Sequence, residues 1–242
     1  MSEKINLDTS LGDFVAQYPQ SRELFNSFGL DYCCGGNANL IMAAKSKNID
    51  LNEFELLLQS IVERVPNTDK YKSWQNESLT NIVNHILQVH HSFAWEKLAS
   101  IEILLDKLIE VHGEKHGDFL QKLKDIFVEF RAKLEKHLKT EENVVFPYVL
   151  KLDESLSSHS EPLYLDSNIT RETIGRLQKE HEEAGESLSN IKKFTTNYEL
   201  PDYACASFAK LYYDLEALED DLHAHIHLEN TVLFPRVMEY VE

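Results

Sequence analysis

The sequence predicts an all-α protein in which a small helical unit precedes an up-down-up-down four-helix bundle. Three observations carry this prediction. Eight glycines and six prolines are few for 242 residues, so little interrupts helix. Apolar residues recur at helical spacing over long stretches, with few alternating β-branched runs. The pattern His-x3-Glu-x4-Phe-Pro occurs twice, from His137 to Pro147 and from His225 to Pro235, as if one helical device were used in both halves of a bundle.

The elements follow in order. Between Leu11 and Arg64 the helices are short: Thr9 or Ser10 caps a first that ends before Pro19, and Ser21 starts a second that stops at Gly29. Two more follow the turn Asp31-Tyr32-Cys33-Cys34-Gly35-Gly36-Asn37. Residues 1–64 form the small unit, and 65–77, with Pro66, Asn67, Thr68 and Asp69, form a linker. The bundle takes residues 78–242. Its first helix spans Ser78 to Val111 on a stripe of Ile82, Leu87, Phe93, Leu98, Ile101 and Leu105, and Gly113 breaks it. The second spans Gly117 to Leu152, the third Thr170 to Phe194 and the fourth Tyr203 to Tyr240. Short turns after the first and third make antiparallel neighbours, while Asp153 to Asn168 is a longer, Ser-rich connection.

Composition bounds the function. Hydrophobic residues at 43% and charged residues at 27% are the balance of a folded globular protein. A formal charge of −17, from 41 acidic and 24 basic residues, repels phosphate backbones and anionic lipid, so neither nucleic acid nor a membrane surface is the expected partner. The first residues lack the pattern of a secretory signal, no stretch reaches the ~18 apolar residues of a membrane span, and three cysteines make no disulfide framework. A cytoplasmic protein is expected.

The repeat carries the chemistry. In an α-helix, positions four apart point the same way, so His137 with Glu141, and His225 with Glu229, each offer two ligands to one side. One such pair alone is more often a surface ion pair. Two copies with the same proline placement, and a histidine on each remaining helix, His85 and His181, point to metal instead. Four imidazoles and two carboxylates divide between two metals as two histidines each, with both carboxylates free to bridge. Without thiolate the set suits iron or manganese better than structural zinc. Six protein ligands leave positions for an oxo or hydroxo bridge and for small diatomic ligands.

Eleven histidines lie between His85 and His227. His112, His116, His159, His223 and His227 are expected on solvated faces, and one of His90 and His91 is expected to face inward and orient a ligand. Phe146, Phe234, Trp95, Tyr212 and Tyr213 are expected as core, and Pro147 and Pro235 as points where the helices loosen beyond the metal. Cys33 and Cys34 suit a redox or iron-transfer role, with the glycines freeing backbone for close approach to a partner or cofactor. Cys205 is expected to pack.

On Leu30-Asp31-Tyr32-Cys33-Cys34-Gly35-Gly36, on the two His-x3-Glu segments with their Phe-Pro endings, and on His181-Glu-Glu-Ala-Gly185, the chain resembles the iron-sulfur cluster repair di-iron proteins over about Leu7 to Val237. That family joins a short N-terminal domain to a hemerythrin-like domain. The resemblance implies two iron ions joined by an oxo bridge, with His85, His137, His181 and His225 as terminal ligands and Glu141 and Glu229 as bridges. It further implies a bacterial cytoplasmic stress protein, dimeric in the family, that restores iron-sulfur proteins damaged by nitric oxide or peroxide. A reductase of nitric oxide or peroxide at the same irons, or a hemerythrin-like carrier or sensor of oxygen or nitric oxide, are the alternatives.

Overall fold

The computed structural model describes residues 5–63, 72–158 and 167–240. Among them the structure is helical, apart from one isolated bridge between Ser10 and Asn39. His159 and residues 65–71 of the expected linker lie outside the described residues. No described helix is long and apolar enough to cross a membrane.

Contacts divide the chain into two units, Met1–Ser78 with Ala224–Tyr240, and a second containing Leu79–His223. In the first unit, α1 (Leu11–Gln17) starts where the Ser10 side chain accepts the backbone N–H of Asp13. Helix α2 (Ser21–Ser27) ends at Gly29, whose φ of +61° lets Leu30 N–H reach back to the Phe25 carbonyl. Asn39 caps α3 (Leu40–Ser46), and α4 (Leu51–Glu63) follows. Leu11, Phe14, Phe25, Leu40, Phe54 and Leu58 make the core, which Tyr32 and Ile226 join.

The second unit begins with α5 (Leu79–His85), a π-helical stretch Ile86–His91, and α6 (Ser92–Thr140). Residues 92–140 carry one helical assignment, with Gly113 inside it. A straight helix of 49 residues would span about 74 Å. Instead its halves pair antiparallel: Lys124 with Asp106 at 2.5 Å, Arg131 with Glu102, and Trp95 Nε1 donating to Glu142 Oε1 at 3.0 Å. The chain therefore reverses near Gly113 and Gly117, where the sequence placed the break. A second π stretch, Glu141–Val145, leads into α7 (Phe146–Ser157), and α8 (Ser167–Phe194) follows.

Helix α8 stops without glycine, on Thr196, Asn197 and Tyr198 at φ of 52° to 60°. Helix α9 (Ala206–His227) then runs into a third π stretch, Leu228–Leu233, and α10 (Phe234–Met238). Leu98, Ile101, Leu123, Phe127, Leu188, Ile191, Leu211 and Leu215 share one core, so four helical runs enclose it. The buried stripe of the first run passes through Ile86 and Ala94 rather than Leu87 and Phe93, which are half-buried. Phe146, Phe234 and Tyr212 are buried as expected of core, whereas Tyr213 is 65% exposed.

Candidate metal centre

Both copies of the repeat place His and Glu on one side of a helix. His137 Nε2 stands 3.0 Å from Glu141 Oε1, and His225 Nε2 stands 3.2 Å from Glu229 Oε1. In each copy the glutamate lies in a π stretch, and a proline occupies the second position of the following helix, Pro147 in α7 and Pro235 in α10. Proline brings no N–H to the carbonyl four residues back, and the wider π turn lies just ahead of it. The loosening expected there takes this form.

Two further nitrogens meet Glu141. His91 Nε2 lies 3.3 Å from Oε2, His181 Nε2 lies 3.7 Å from Oε1, and the Nε2 atoms of His181 and His137 are 3.0 Å apart. The far sides of two of these rings are held by carboxylates: His137 Nδ1 by Glu180 Oε2 at 2.8 Å, and His91 Nδ1 by Glu142 Oε1 at 2.9 Å. A carboxylate only accepts, so each Nδ1 carries a hydrogen, and the Nε2 of each ring is the atom turned toward Glu141.

Within the second unit His91, His137 and His181 thus gather around the Glu141 carboxylate, and within the first unit His225 pairs with Glu229. All six residues are buried, none more than 5% exposed. Of the residues singled out from the sequence, the structure brings together His137, Glu141 and His181, to which it adds His91, and pairs His225 with Glu229. His85 is in neither group. It is half-buried, its ring edge-on to His90 at 5.2 Å, and His90 in turn meets Asp221 at 2.9 Å. The π stretch Ile86–His91 separates the two positions, so an α-helical wheel drawn through His85 runs out of phase beyond it. The signal for His91 was in the sequence: stepping back from Leu105 through Ile101, Leu98 and Ala94 by fours and threes lands on it.

The donor set fits a cation. Both oxygens of Glu141 are buried without a hydrogen bond of good geometry, although imidazole nitrogens ring them. Lone pairs converging this closely repel unless positive charge sits among them. Burial alone would raise the Glu141 carboxyl; His137, joined by His181 and His91, outweighs it and holds the group well below the usual carboxylate range. Hard oxygen and borderline nitrogen without sulfur suit a first-row divalent or trivalent metal.

Three histidines expected on solvated faces are engaged. His227 is buried, its Nε2 2.9 Å from the Gly12 carbonyl, and burial pushes it down to about 4 against the opposing pull of that carbonyl. His116 stacks on Tyr203 at 3.6 Å, and His112 Nε2 lies 3.4 Å from Cys205 Sγ. His112 first, then the N–H of Phe208, hold the Cys205 thiol below its ordinary value, while its half-buried side chain packs on the core.

The Cys-Cys turn belongs to the first unit. Cys33 is buried, Cys34 half-buried, and their sulfurs lie 3.7 Å apart without a disulfide. Cys34 as hydrogen-bond partner, then burial, hold the Cys33 thiol well above its ordinary value. Gly36 O accepts from Gly12 N at 2.9 Å, so the close approach the glycines permit is to the chain itself. Asn230, next to Glu229, donates its Nδ2 to the Cys33 carbonyl at 3.3 Å.

Fold and site define a helical-bundle protein with a buried cation site of imidazoles and carboxylates. The family described as Hemerythrin HHE cation binding domain matches residues 81–237, and a domain of unknown function (DUF542) matches residues 7–62. A probable iron-sulfur cluster repair protein of Haemophilus influenzae is 32% identical over 94% of this chain and 96% of its own. The iron-sulfur cluster repair protein YtfE of Yersinia pseudotuberculosis is 32% identical over 95% and 96%, and ScdA of Staphylococcus epidermidis 29% over 96% and 99%. The chain belongs to this family of iron-sulfur cluster repair proteins with a hemerythrin HHE domain.

Proposed function

We propose that the chain restores damaged iron-sulfur clusters, and that its buried site holds two irons from which the repair iron is drawn. The observation that carries this is the pairing of a buried His with a fully buried Glu in both copies of the repeat, His137 with Glu141 and His225 with Glu229, in a chain whose near-full-length relatives are named repair proteins. Two such carboxylates suit a bridged pair of irons, with His91, His137, His181 and His225 as the terminal ligands. Bound there, iron would supply a ferric/ferrous couple and coordination positions left open by the protein.

The chain's own residues set how firmly the cargo is held. Glu180 and Glu142 fix the rings of His137 and His91 with their Nε2 atoms toward Glu141. Glu141 is a buried carboxylate kept ionised, and such hard oxygens favour ferric over ferrous iron, so reduction loosens the cargo. Cys33 and Cys34, pinned through Asn230 beside Glu229, assist by taking up iron or by thiol exchange. Damaged iron-sulfur proteins are the partners, nitric oxide or oxygen the small ligands, and the cytoplasm, where thiols stay reduced, the compartment.

The test is to measure iron per chain, reduce the protein, and follow iron release to a chelator while a cluster-damaged dehydratase is reactivated. Two irons per chain and reactivation that tracks their loss are expected. A Cys33→Ala, Cys34→Ala variant is expected to keep its iron and repair poorly. Iron retained throughout, with steady consumption of nitric oxide or peroxide and no reactivation, would replace the donor reading by a reductase.

A further inference from the structure

We propose that Asp31, Cys33 and Cys34 form a second cation site, soft where the buried one is hard, which takes a single thiophilic divalent ion. Their ligand atoms lie within 4.8 Å of one another. The sulfurs are 3.7 Å apart, and Asp31 Oδ1 lies 3.3 Å from Cys33 Sγ. As a thiol, Cys33 donates its S–H at this range; once both cysteines are thiolates, they and the Asp31 carboxylate would repel one another, and a cation between them removes that repulsion. Thiolate selects divalent ions such as ferrous iron, zinc or cadmium over magnesium and calcium.

The turn is built to hold this arrangement. Asp31 Oδ1 accepts the backbone N–H of Cys33 at 3.1 Å and of Cys34 at 2.9 Å, which turns the carboxylate back over the two thiols. Gly35 leaves it room: a Cβ there would stand 3.1 Å from Asp31 Oδ2. Gly36 closes the turn, since a Cβ would stand 2.5 Å from the Tyr32 carbonyl. Buried Tyr32, edge-on to His227, and the Asn230 bond to Cys33 fix the turn from behind.

Asp31 is exposed and Cys34 half-buried, so the ion is reached from solvent. Three protein ligands leave a position for an incoming ligand, as in sites that exchange rather than store metal. On binding, each thiol gives its proton to solvent and forms a metal–sulfur bond; no electron moves. That the ion is iron in transit rests on the repair function above, while the site itself stands on the geometry.

Cadmium is the probe. The full-length protein, with the metal of its buried site in place and its thiols reduced, is titrated anaerobically with Cd2+ while ultraviolet absorption and retained iron are followed. One equivalent is expected to raise a thiolate-to-cadmium charge-transfer band without iron loss. Cys33→Ser or Cys34→Ser abolishes the band and Cys205→Ser leaves it. Asp31→Asn keeps the Oδ1 acceptor that shapes the turn and loses only the charge, so it weakens binding by roughly 10-fold or more. No band, a band that survives loss of both cysteines, or unchanged affinity in Asp31→Asn overturns the site. None of these readouts depends on repair activity.

Discussion

Glu142 holds His91: its Oε1 lies 2.9 Å from His91 Nδ1 and leaves His91 Nε2 facing the buried Glu141 carboxylate at 3.3 Å. The same Glu142 oxygen accepts from Trp95 Nε1 at 3.0 Å, which anchors it. His91→Ala is therefore expected to lose bound metal, whereas His85→Ala, outside both groups, retains it. Metal analysis of the two purified variants decides between them; metal lost only from the His85 variant would restore the sequence assignment.

Glu180 does for His137 what Glu142 does for His91, at 2.8 Å. Glu180→Gln keeps the shape of the side chain, yet its amide can donate to Nδ1 and so favour the wrong tautomer. Loss of roughly 10- to 100-fold in metal affinity is expected, with the fold unchanged. Competition with a chelator measures it, and full affinity would mean that Glu180 orients nothing.

At the Cys-Cys turn the two glycines are not equivalent. A methyl at Gly36 meets backbone, the Tyr32 carbonyl at 2.5 Å, which cannot move without the turn, while one at Gly35 meets the Asp31 side chain at 3.1 Å. Gly36→Ala is expected to destabilise by about 1–3 kcal/mol and Gly35→Ala by less, with the Gly35 variant displacing the carboxylate. Denaturant unfolding ranks the two, and equal stability would remove the steric account.

The helical periods, the repeat with its prolines, the cap at Ser10 and the helix start at Ser21 were legible because each depends on local chain geometry. The choice between His85 and His91 was legible only from downstream, by stepping back through Ala94 to His91, and not from His85. A π stretch inserts extra chain per turn without a glycine or proline inside Ile86–His91 to mark it, and every assignment upstream loses phase. His227 was misjudged for another reason: two residues from His225 it does leave that face, but Gly12, 215 residues earlier, covers it.

Away from the metal centre, Lys97 and Asp214 form a buried ion pair at 2.8 Å, with Lys210 and Ser100 also on the Asp214 carboxylate. Burial opposes ionisation of Asp214, but Lys210 and Lys97 outweigh it and hold the carboxyl below its ordinary value. A folded value below the unfolded one, which is about 3.9, makes the pair stabilising above that pH, and the contribution is lost as pH falls through the folded value. Asp214→Ala strands the Lys97 ammonium and is expected to cost roughly 3–5 kcal/mol at pH 7. Asp214→Asn, which keeps the volume, is expected to cost less, and its deficit against the parent shrinks on acidification below about pH 4. Urea unfolding of parent and both variants at neutral and acid pH checks this, because a deficit that stays constant with pH would mean the carboxylate contributes by packing and not by charge.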